Sequence, residues 1–225
     1  MTQIKRYTNP SLAVDLVVFG YYEGELSILL LNRKEKPFEN KWTLPGGFVH
    51  IEDTLSKTCT RILQSKLGIA DVYLEQLYSF DEPKRDPRGR VISIAYYALI
   101  NPTKFQLSAG AMTNDVQWFV IKKMPQLGFD HNSIFDVALA RLSAKIQYHP
   151  AGFQLLDELF TMSELHQLYE TITGLSIDRR NFARKILAAD YVINTGLKRE
   201  GSKNRHPELF RFNKKIKPHQ FHITL

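Results

Sequence analysis

The sequence predicts an α+β protein of two domains, a mixed β-sheet flanked by helices followed by a smaller, mainly helical domain. Strand and helix patterns alternate from residue 13 to residue 146 and then break at residues 148–152 (Tyr-His-Pro-Ala-Gly). We therefore expect one domain at residues 1–149 and another at residues 150–225. The chain of 225 residues is long enough for both, and its 44% hydrophobic content gives each the material for a core.

The first elements are two strands joined by a tight turn. Apolar runs at residues 13–19 and 26–32 flank Glu23-Gly24, which predicts a β-hairpin. Three later segments are rich in β-branched and aromatic residues and are predicted strands: residues 74–80, 91–100 and 116–120. A helix is predicted over residues 133–146, where apolar residues recur at helical spacing. A mixed sheet covered by helices accommodates this order of elements.

The second domain begins with a clear helix start. Thr161 and Glu164 have the spacing of a capping box, and the apolar pattern that follows ends near Gly174. Ser176 or Asp178 then caps a second helix. Two short strands, predicted at residues 191–194 and 209–212, enclose a basic loop that contains glycine.

Positive charge is concentrated at the end of the chain. The formal net charge is +7, and residues 178–225 alone hold twelve basic and four acidic side chains. Such asymmetry points to nucleic acid or another polyanion as a partner, although a basic tail also serves solubility.

The single cysteine, Cys59, excludes a disulfide framework and multi-cysteine zinc sites, and we expect it to be a small buried side chain. The sequence shows no secretion signal and no apolar run long enough for a membrane span. We therefore expect a cytoplasmic protein without a membrane partner.

Residues 47–69 carry a spaced pattern of six residues: Gly47, Asp53, Arg61, Leu63, Gly68 and Ile69. The pattern resembles the Nudix box, the loop and helix that hold catalytic magnesium in diphosphate hydrolases. In that family three helix glutamates provide ligands, whereas this chain has Ile62, Ser65 and Lys66 in their places. The resemblance implies a Nudix α/β/α sandwich whose box lacks most of its carboxylates.

The substitutions have a physical consequence of their own. Apolar spacing predicts a helix over residues 54–67, so positions 62, 65 and 66 share one face. Magnesium needs oxygen ligands, commonly carboxylates, which this face does not offer. We expect no metal site, no catalytic residue and no hydrolysis, with Lys66 placing a positive charge where the enzymes hold the metal. The alternatives are that Lys66 is an ordinary solvated helix residue, or that the chain is an active hydrolase after all.

The second helix of the C-terminal domain separates apolar from polar residues. Phe182, Ala183 and Ile186 fall on one side, and a polar arc of Arg180, Asn181, Arg184 and Lys185 falls on the other. Arginine can read guanine, asparagine can read adenine and lysine neutralises phosphate, so the arc suits the major groove of DNA.

A helix-turn-helix followed by paired strands and a basic loop is typical of a winged helix, and we expect double-stranded DNA as the partner. The predicted DNA contacts are Arg179, Arg180, Asn181, Arg184, Lys185, Lys198, Arg199, Lys203, Asn204 and Arg205. Two alternatives remain: a helical domain with a solvated basic face, and a module that docks RNA or an acidic protein.

Three stretches extend the resemblance to the whole chain: residues 42–48 (WTLPGGF), residues 85–97 (RDPRGRVISIAYY) and the helix that starts with residues 178–182 (DRRNF). The chain resembles the Nudix-related transcriptional regulators, which repress genes of NAD metabolism or, in some bacteria, of sugar utilisation. The resemblance implies a homodimer that binds operator DNA through a winged helix-turn-helix and a small effector in the former hydrolase pocket, with no cofactor.

The candidate effector-binding residues are Trp42, Gly47, Phe48, Asp53, Arg61, Lys66, Arg85, Arg88 and Arg90. The arginines suit phosphate groups, so ADP-ribose or a related nucleotide is the first choice of effector and a pentose is the second. Each arginine also has a structural interpretation, since Arg61 has Asp53 and Glu52 as possible partners and the other three lie in a turn rich in carboxylates. Converging arginines would favour the phosphorylated ligand.

Overall fold

The computed structural model of the chain describes residues 9–70, 72–105, 113–200 and 206–223. Within them, seven strands form one sheet in the order β3-β2-β1-β6-β5, with β4 paired to β1 and β7 paired to β2. The strands are β1 (Ser11–Tyr22), β2 (Glu25–Arg33), β3 (Trp42–Thr43), β4 (Gly46–Phe48), β5 (Tyr73–Phe80), β6 (Val91–Ile100) and β7 (Thr113–Val120). The helices are α1 (Leu55–Leu67), α2 (His131–Lys145), α3 (Met162–Thr173) and α4 (Arg179–Ala188), and β8 (Val192–Lys198) pairs with β9 (Glu208–Phe212). The predicted α+β class is confirmed.

The hairpin of β1 and β2 runs through the middle of the large sheet. Val14, Leu16 and Phe19 are fully buried in β1, and Leu26 and Leu30 are fully buried in β2. The turn at Glu23-Gly24 has φ of 50° and 83°, which matches the turn that best fits the twist of a two-residue hairpin. The predicted hairpin is therefore confirmed.

Two short strands that the sequence pattern missed bring the glycines of the box to β1. β4 runs antiparallel to β1, with Ala13 opposite Phe48 and Asp15 opposite Gly46. A Cβ atom on Gly46 would lie 2.4 Å from Asp15 Oδ1, so only glycine fits at this position. β3 and β4 have two and three residues, too few for an alternating pattern to be recognised.

Helix α1 follows the box loop as predicted. Thr54 caps its N-terminus by accepting from the backbone N–H of Lys57 at 3.2 Å, and Gly68 ends it in the left-handed conformation with φ of 67°. Its apolar face is buried through Cys59, Ile62, Leu63 and Leu67. The helix therefore belongs to the core and presents its other face to solvent.

The C-terminal helices are defined by their caps. Thr161 and Glu164 form the predicted capping box, and Gly174 ends α3. Asp178 caps α4 by accepting from the N–H of Asn181 at 2.7 Å. A 3-10 helix, Pro150–Leu155, occupies the predicted break in the pattern. The strand predicted at residues 191–194 extends to Lys198 in the structure.

The chain divides into two compact units. The first contains Met1–Val18, Ile28–Ala98 and Phe105–Ala138, and the second contains Phe19–Ser27, Leu99–Lys104 and Leu139–Leu225. The second unit thus includes the tip of the β1–β2 hairpin in addition to α3 and α4. The domain boundary at residues 149 and 150 stays a prediction. In the part of the chain that the structure describes, no helix combines the length and apolar character of a membrane span.

Candidate functional site

A cavity of about 360 Å³ lies in the first unit, beside the box. Its charged lining consists of four arginines and three carboxylates, and its aromatic lining comes from two phenylalanines and two histidines. These residues are Arg33, Arg61, Arg85, Arg88, Asp15, Glu35, Asp86, Phe48, Phe129, His50 and His131. The excess of guanidinium groups makes the cavity suitable for an anionic ligand.

The remaining carboxylate of the box is already paired. Asp53 contacts Lys57 Nζ at 2.9 Å and Arg61 Nε at 3.2 Å. The hydrogen bond from Lys57, followed by the charges of Lys57 and Arg61, lowers the pKa of Asp53. Arg61 also donates to the carbonyl oxygen of Phe48 at 3.0 Å, so it holds the box loop to α1.

The three helix positions that hold glutamates in Nudix hydrolases do different work here. Ile62 is 1% exposed and belongs to the core. Ser65 donates from Oγ to the carbonyl oxygen of Arg61 at 2.6 Å. The side chain of Lys66 lies outside the described residues, so its predicted role stays a prediction. Among the residues that the structure describes, no cluster of three histidine, cysteine or acidic side chains could hold a metal. The residues present do not fit magnesium.

A buried ionic network forms one wall of the cavity. Arg85 donates two hydrogen bonds to Asp130, at 2.8 and 2.7 Å, and one to Asp15 Oδ2 at 3.0 Å. Ser93 donates to the same Asp15 oxygen at 2.7 Å. The Arg85 side chain is only 4% exposed. The guanidinium group of Arg85 is therefore engaged by Asp130 and Asp15, which supports a structural role for this arginine.

His131 extends the network in a defined tautomer. The backbone N–H of Leu44 donates to His131 Nδ1 at 2.9 Å, so the proton of the neutral ring lies on Nε2, which faces Asp15 Oδ1 at 3.5 Å. Burial lowers the pKa of His131, although the nearby carboxylates of Asp15 and Asp130 act in the opposite direction. The ring is held neutral.

Two guanidinium groups and two phenylalanine rings of the cavity lining lie close together. The Arg33 carbon Cζ lies 5.1 Å from the centre of the Phe129 ring. Arg88 Cζ lies 5.3 Å from the Phe48 ring and 5.8 Å from the Phe129 ring. Arg88 also forms two hydrogen bonds to Asp86, at 2.9 and 2.6 Å.

The structure brings some of the candidate effector residues together and leaves others apart. Gly47, Phe48, Arg61, Arg85 and Arg88 line the cavity. Trp42, Asp53 and Arg90 do not line it.

The three residues outside the lining have other contacts. Trp42 packs against the Phe119 ring with centres 4.7 Å apart, and Arg90 donates to the carbonyl oxygen of Asp81. Asp53 is engaged by Lys57 and Arg61. None of these three residues lines the cavity, and their role in effector binding stays a prediction.

Sequence reasoning missed four important lining residues: Asp15, Arg33, Phe129 and His131. Asp15 lies in a predicted strand, where a charged residue in an apolar run was the available signal, and Arg33 directly follows the predicted strand at residues 26–32. Phe129 has a φ of 58°, and no sequence pattern predicts that conformation for a phenylalanine.

Helix α4 presents the predicted basic arc. Phe182 and Ile186 are buried, whereas Arg180 and Arg184 are exposed. Asn181 Oδ1 accepts a hydrogen bond from Arg184 Nη2 at 2.7 Å. Lys185 is half-buried, and Arg179 donates to Ser163 Oγ. The arc therefore offers Arg180 and Arg184 most openly to a partner.

The strands after α4 carry the remaining candidates for DNA contact. Lys198 is exposed at the end of β8. Arg199 forms an ion pair with Glu164, the glutamate of the α3 capping box, and donates to its Oε2 at 3.1 Å. This pair ties the start of the basic loop to α3. Lys203, Asn204 and Arg205 lie outside the described residues and stay predictions.

Comparisons with known proteins match both units. A family model described as the NUDIX domain matches residues 10–137, and one described as the NrtR DNA-binding winged helix domain matches residues 152–212. The chain is 35% identical over 210 residues to the ADPR responsive transcriptional repressor NtrR of Acinetobacter baylyi, covering 92% of this chain and 83% of that protein.

Solved structures agree with these matches. The crystal structure of Shewanella oneidensis NrtR complexed with a 27mer DNA has a TM-score of 0.79 and 34% identity, covering 93% of this chain and 94% of that one. The NUDIX domain of the same S. oneidensis protein, complexed with ADP ribose, has a TM-score of 0.55 and 33% identity over 62% of this chain and 93% of that one. The expected Nudix fold followed by a winged helix-turn-helix is thereby confirmed.

Proposed function

Because this chain belongs to the NrtR family of Nudix-related transcriptional regulators, we propose that it is a repressor that binds operator DNA and responds to ADP-ribose. One observation supports the proposal above all: the same chain contains two candidate binding surfaces. The first is an arginine-lined cavity beside a box that lacks most of its carboxylates, and the second is the exposed basic face of α4. The cavity recognises the effector, and α4 with the loop after β8 recognises DNA.

The lining of the cavity supports a phosphorylated effector. Four arginines reach the cavity, and Arg33 and Arg88 converge on one ring. Guanidinium groups match phosphate oxygens with charge-assisted hydrogen bonds. A pentose would need mainly neutral hydroxyl partners, and neither the lining nor the relatives support it. The bound ADP ribose of the S. oneidensis domain is consistent with the same choice.

We also propose that the chain does not hydrolyse its ligand. The Asp53 carboxylate forms ion pairs with Lys57 and Arg61, and Ile62 is buried where Nudix hydrolases carry a glutamate. Catalysis by a metal requires several oxygen ligands to fix the ion. Binding therefore persists without turnover, which suits a sensor.

The proposed regulator is a cytoplasmic homodimer acting on genes of NAD metabolism. Two-fold symmetry would match an operator with two half-sites one or more helical turns apart. ADP-ribose releases the operator because it favours a state of the protein that binds DNA less tightly. The A. baylyi relative is described as an ADPR responsive transcriptional repressor, which supports ADP-ribose as the effector.

The test is a fluorescence-anisotropy titration of the full chain with duplexes selected from a randomised library. We expect ADP-ribose to raise the dissociation constant for the selected duplex by about fivefold or more, the usual scale of allosteric coupling. Ribose and AMP serve as control ligands. In parallel, ADP-ribose with Mg²⁺ should yield no AMP. Selection of no duplex, or AMP formation at the rate of a Nudix enzyme, would contradict the proposal.

A further inference from the structure

The cavity contains a guanidinium group whose hydrogen-bonding capacity is largely unused. Arg33, at the end of β2, donates from Nε to the carbonyl oxygen of Pro37 at 2.9 Å. Within the described part of the chain, its two terminal nitrogens have no hydrogen-bond acceptor and no ion pair. Such a group in a half-buried position calls for an anionic partner, because burial without pairing is costly for a charge.

A second guanidinium group lies close to the first. Arg33 Cζ and Arg88 Cζ are 5.1 and 5.8 Å from the centre of the Phe129 ring. Burial, followed by the positive charge of Arg88, lowers the pKa of Arg33, while Asp86 and Glu35 oppose the shift only in part. An anion between the two guanidinium groups would relieve this repulsion.

The ring that both guanidinium groups approach belongs to a residue with an unusual backbone conformation. Phe129 has a φ of 58°, in the left-handed region that bulky residues rarely adopt. The preceding residue, Gly128, is closely packed, since a Cβ there would lie 3.0 Å from Phe38 Cβ and 3.1 Å from Thr43 Cγ2. Strained residues of this kind concentrate at binding sites, where the surrounding structure fixes them.

Arg88 already has an anionic partner, but that partner belongs to the protein. Asp86 accepts from Arg88 Nε at 2.9 Å and from Arg88 Nη2 at 2.6 Å, with the carboxylate 4% and the arginine side chain 46% exposed. Asp86 Oδ1 also accepts from the backbone N–H of Arg88 at 3.0 Å, which stabilises the turn. A ligand phosphate that bound Arg88 would compete with the carboxylate for it.

We infer that Arg33 and Arg88 form the subsite for the diphosphate of the effector, beside the ring of Phe129, and that Asp86 competes with the ligand for Arg88. The inference rests on the proposed function, because it names the residues that recognise the nucleotide in that pocket. The diphosphate thus meets two arginines of the protein, in a pocket whose box residues do not fit magnesium.

Isothermal titration calorimetry in EDTA tests the subsite, with ADP-ribose and inorganic pyrophosphate as probes. Arg33→Gln and Arg88→Gln should each weaken ADP-ribose binding by about tenfold or more, because each removes a charge-assisted contact. Lys84→Gln is the matched control, since Lys84 is exposed in the same loop, carries the same charge and lies outside the cavity lining. It should bind like the wild type.

Asp86→Asn tests the competition separately. The asparagine keeps an oxygen that accepts from the N–H of Arg88 but removes the competing charge, so ADP-ribose should bind several-fold more tightly. Thermal melting of each variant verifies that it is folded, and Arg88→Gln keeps the test decisive if Arg33→Gln unfolds.

The possible outcomes distinguish a failure of the proposed subsite from a failure of the proposed function. Pyrophosphate binding that depends on Arg33 and Arg88, without any ADP-ribose binding, would support the subsite and refute the proposed effector. Arginine variants that bind ADP-ribose as tightly as Lys84→Gln would overturn the subsite while leaving the function intact. Weaker binding by folded Asp86→Asn would overturn the competition.

Discussion

At the scale of the residue, the chemistry of the cavity depends on protonation states that burial fixes. His131 is 5% exposed and receives a hydrogen bond from the backbone N–H of Leu44 at Nδ1. Protonation of the ring would break that hydrogen bond and place a charge in the interior. The neutral ring and the Arg85 network therefore form a rigid wall that cannot adapt to an acidic solution without loss of stability.

This wall makes the stability of the protein depend on pH. The pKa of folded His131 lies below its ordinary value of 6.5, so the unfolded chain binds this proton more readily. The contribution to stability is complete above pH 6.5 and is lost as the pH falls below it, by up to about 1.4 kcal/mol per pH unit for one proton. Urea unfolding between pH 8 and pH 5.5 measures the slope.

His131→Asn is the control for this prediction, because its side-chain oxygen can accept from Leu44 N without titrating. Its stability should vary less over the same range. Asp53 and Asp86 have pKa values below the ordinary 3.8, so they affect the pH dependence of stability only at lower pH. An equal slope in the wild type and the variant would assign the pH dependence to other groups.

At the scale of the element, α4 combines a buried anchor with an open basic face. Phe182 and Ile186 fix the helix, and the Asp178 cap fixes its first turn. Asn181 accepts from Arg184 Nη2 through Oδ1 at 2.7 Å, so the two side chains are coupled on the exposed face of the helix. Arg184 keeps free donors for a guanine, and Asn181 orients it.

Replacement of Arg184 should therefore change sequence preference as well as affinity. Arg184→Ala should remove about 1–3 kcal/mol of discrimination at one base position. Lys198→Ala, from the exposed end of β8, should weaken all duplexes alike and reduce the slope of log K against log salt by about 1. Selection from a randomised library, followed by titration at several salt concentrations, distinguishes the two effects.

Asn181→Ala extends this test, because it retains the guanidinium group and removes its acceptor. We expect it to lower the same base preference by less than Arg184→Ala does. A new preference at a different base position would instead assign Asn181 a contact of its own with DNA.

Local signals located the helices and the longer strands but not the short strands β3 and β4, and the partners brought together by long-range packing were not predicted. The caps of α1, α3 and α4 lie within four residues of the helices they define, so the sequence pattern located them. The site depends on contacts between residues that are far apart in the sequence. Arg85 donates to Asp15, which lies seventy residues earlier, and Arg33 contacts the ring of Phe129. Such partners follow from the folded sheet, which periodicity does not specify.

At the scale of the whole molecule, the proposed function gives one chain two binding activities whose free energies are linked. If ADP-ribose weakens operator binding by a given factor, operator DNA must weaken ADP-ribose binding by the same factor. This reciprocity holds for any geometry of the two units. It therefore tests regulation without knowledge of the conformational change.

We predict equal coupling factors of about 5 to 150 in the two directions. The first comes from anisotropy of labelled operator with and without saturating ADP-ribose. The second comes from calorimetry of ADP-ribose with free protein and with the protein–operator complex, at the same salt concentration. A change in only one of the two affinities would show that the ligands do not act through a single coupled protein.

The single cysteine offers a practical route to these measurements. Cys59 is fully buried in α1, and burial raises the pKa of its thiol to about 12. Thiolate is the reactive form, so maleimide dyes and mild oxidants should leave the folded protein unmodified. A cysteine introduced at an exposed position of α4 would thus accept a fluorophore at one defined place, with no need to remove the native sulfur.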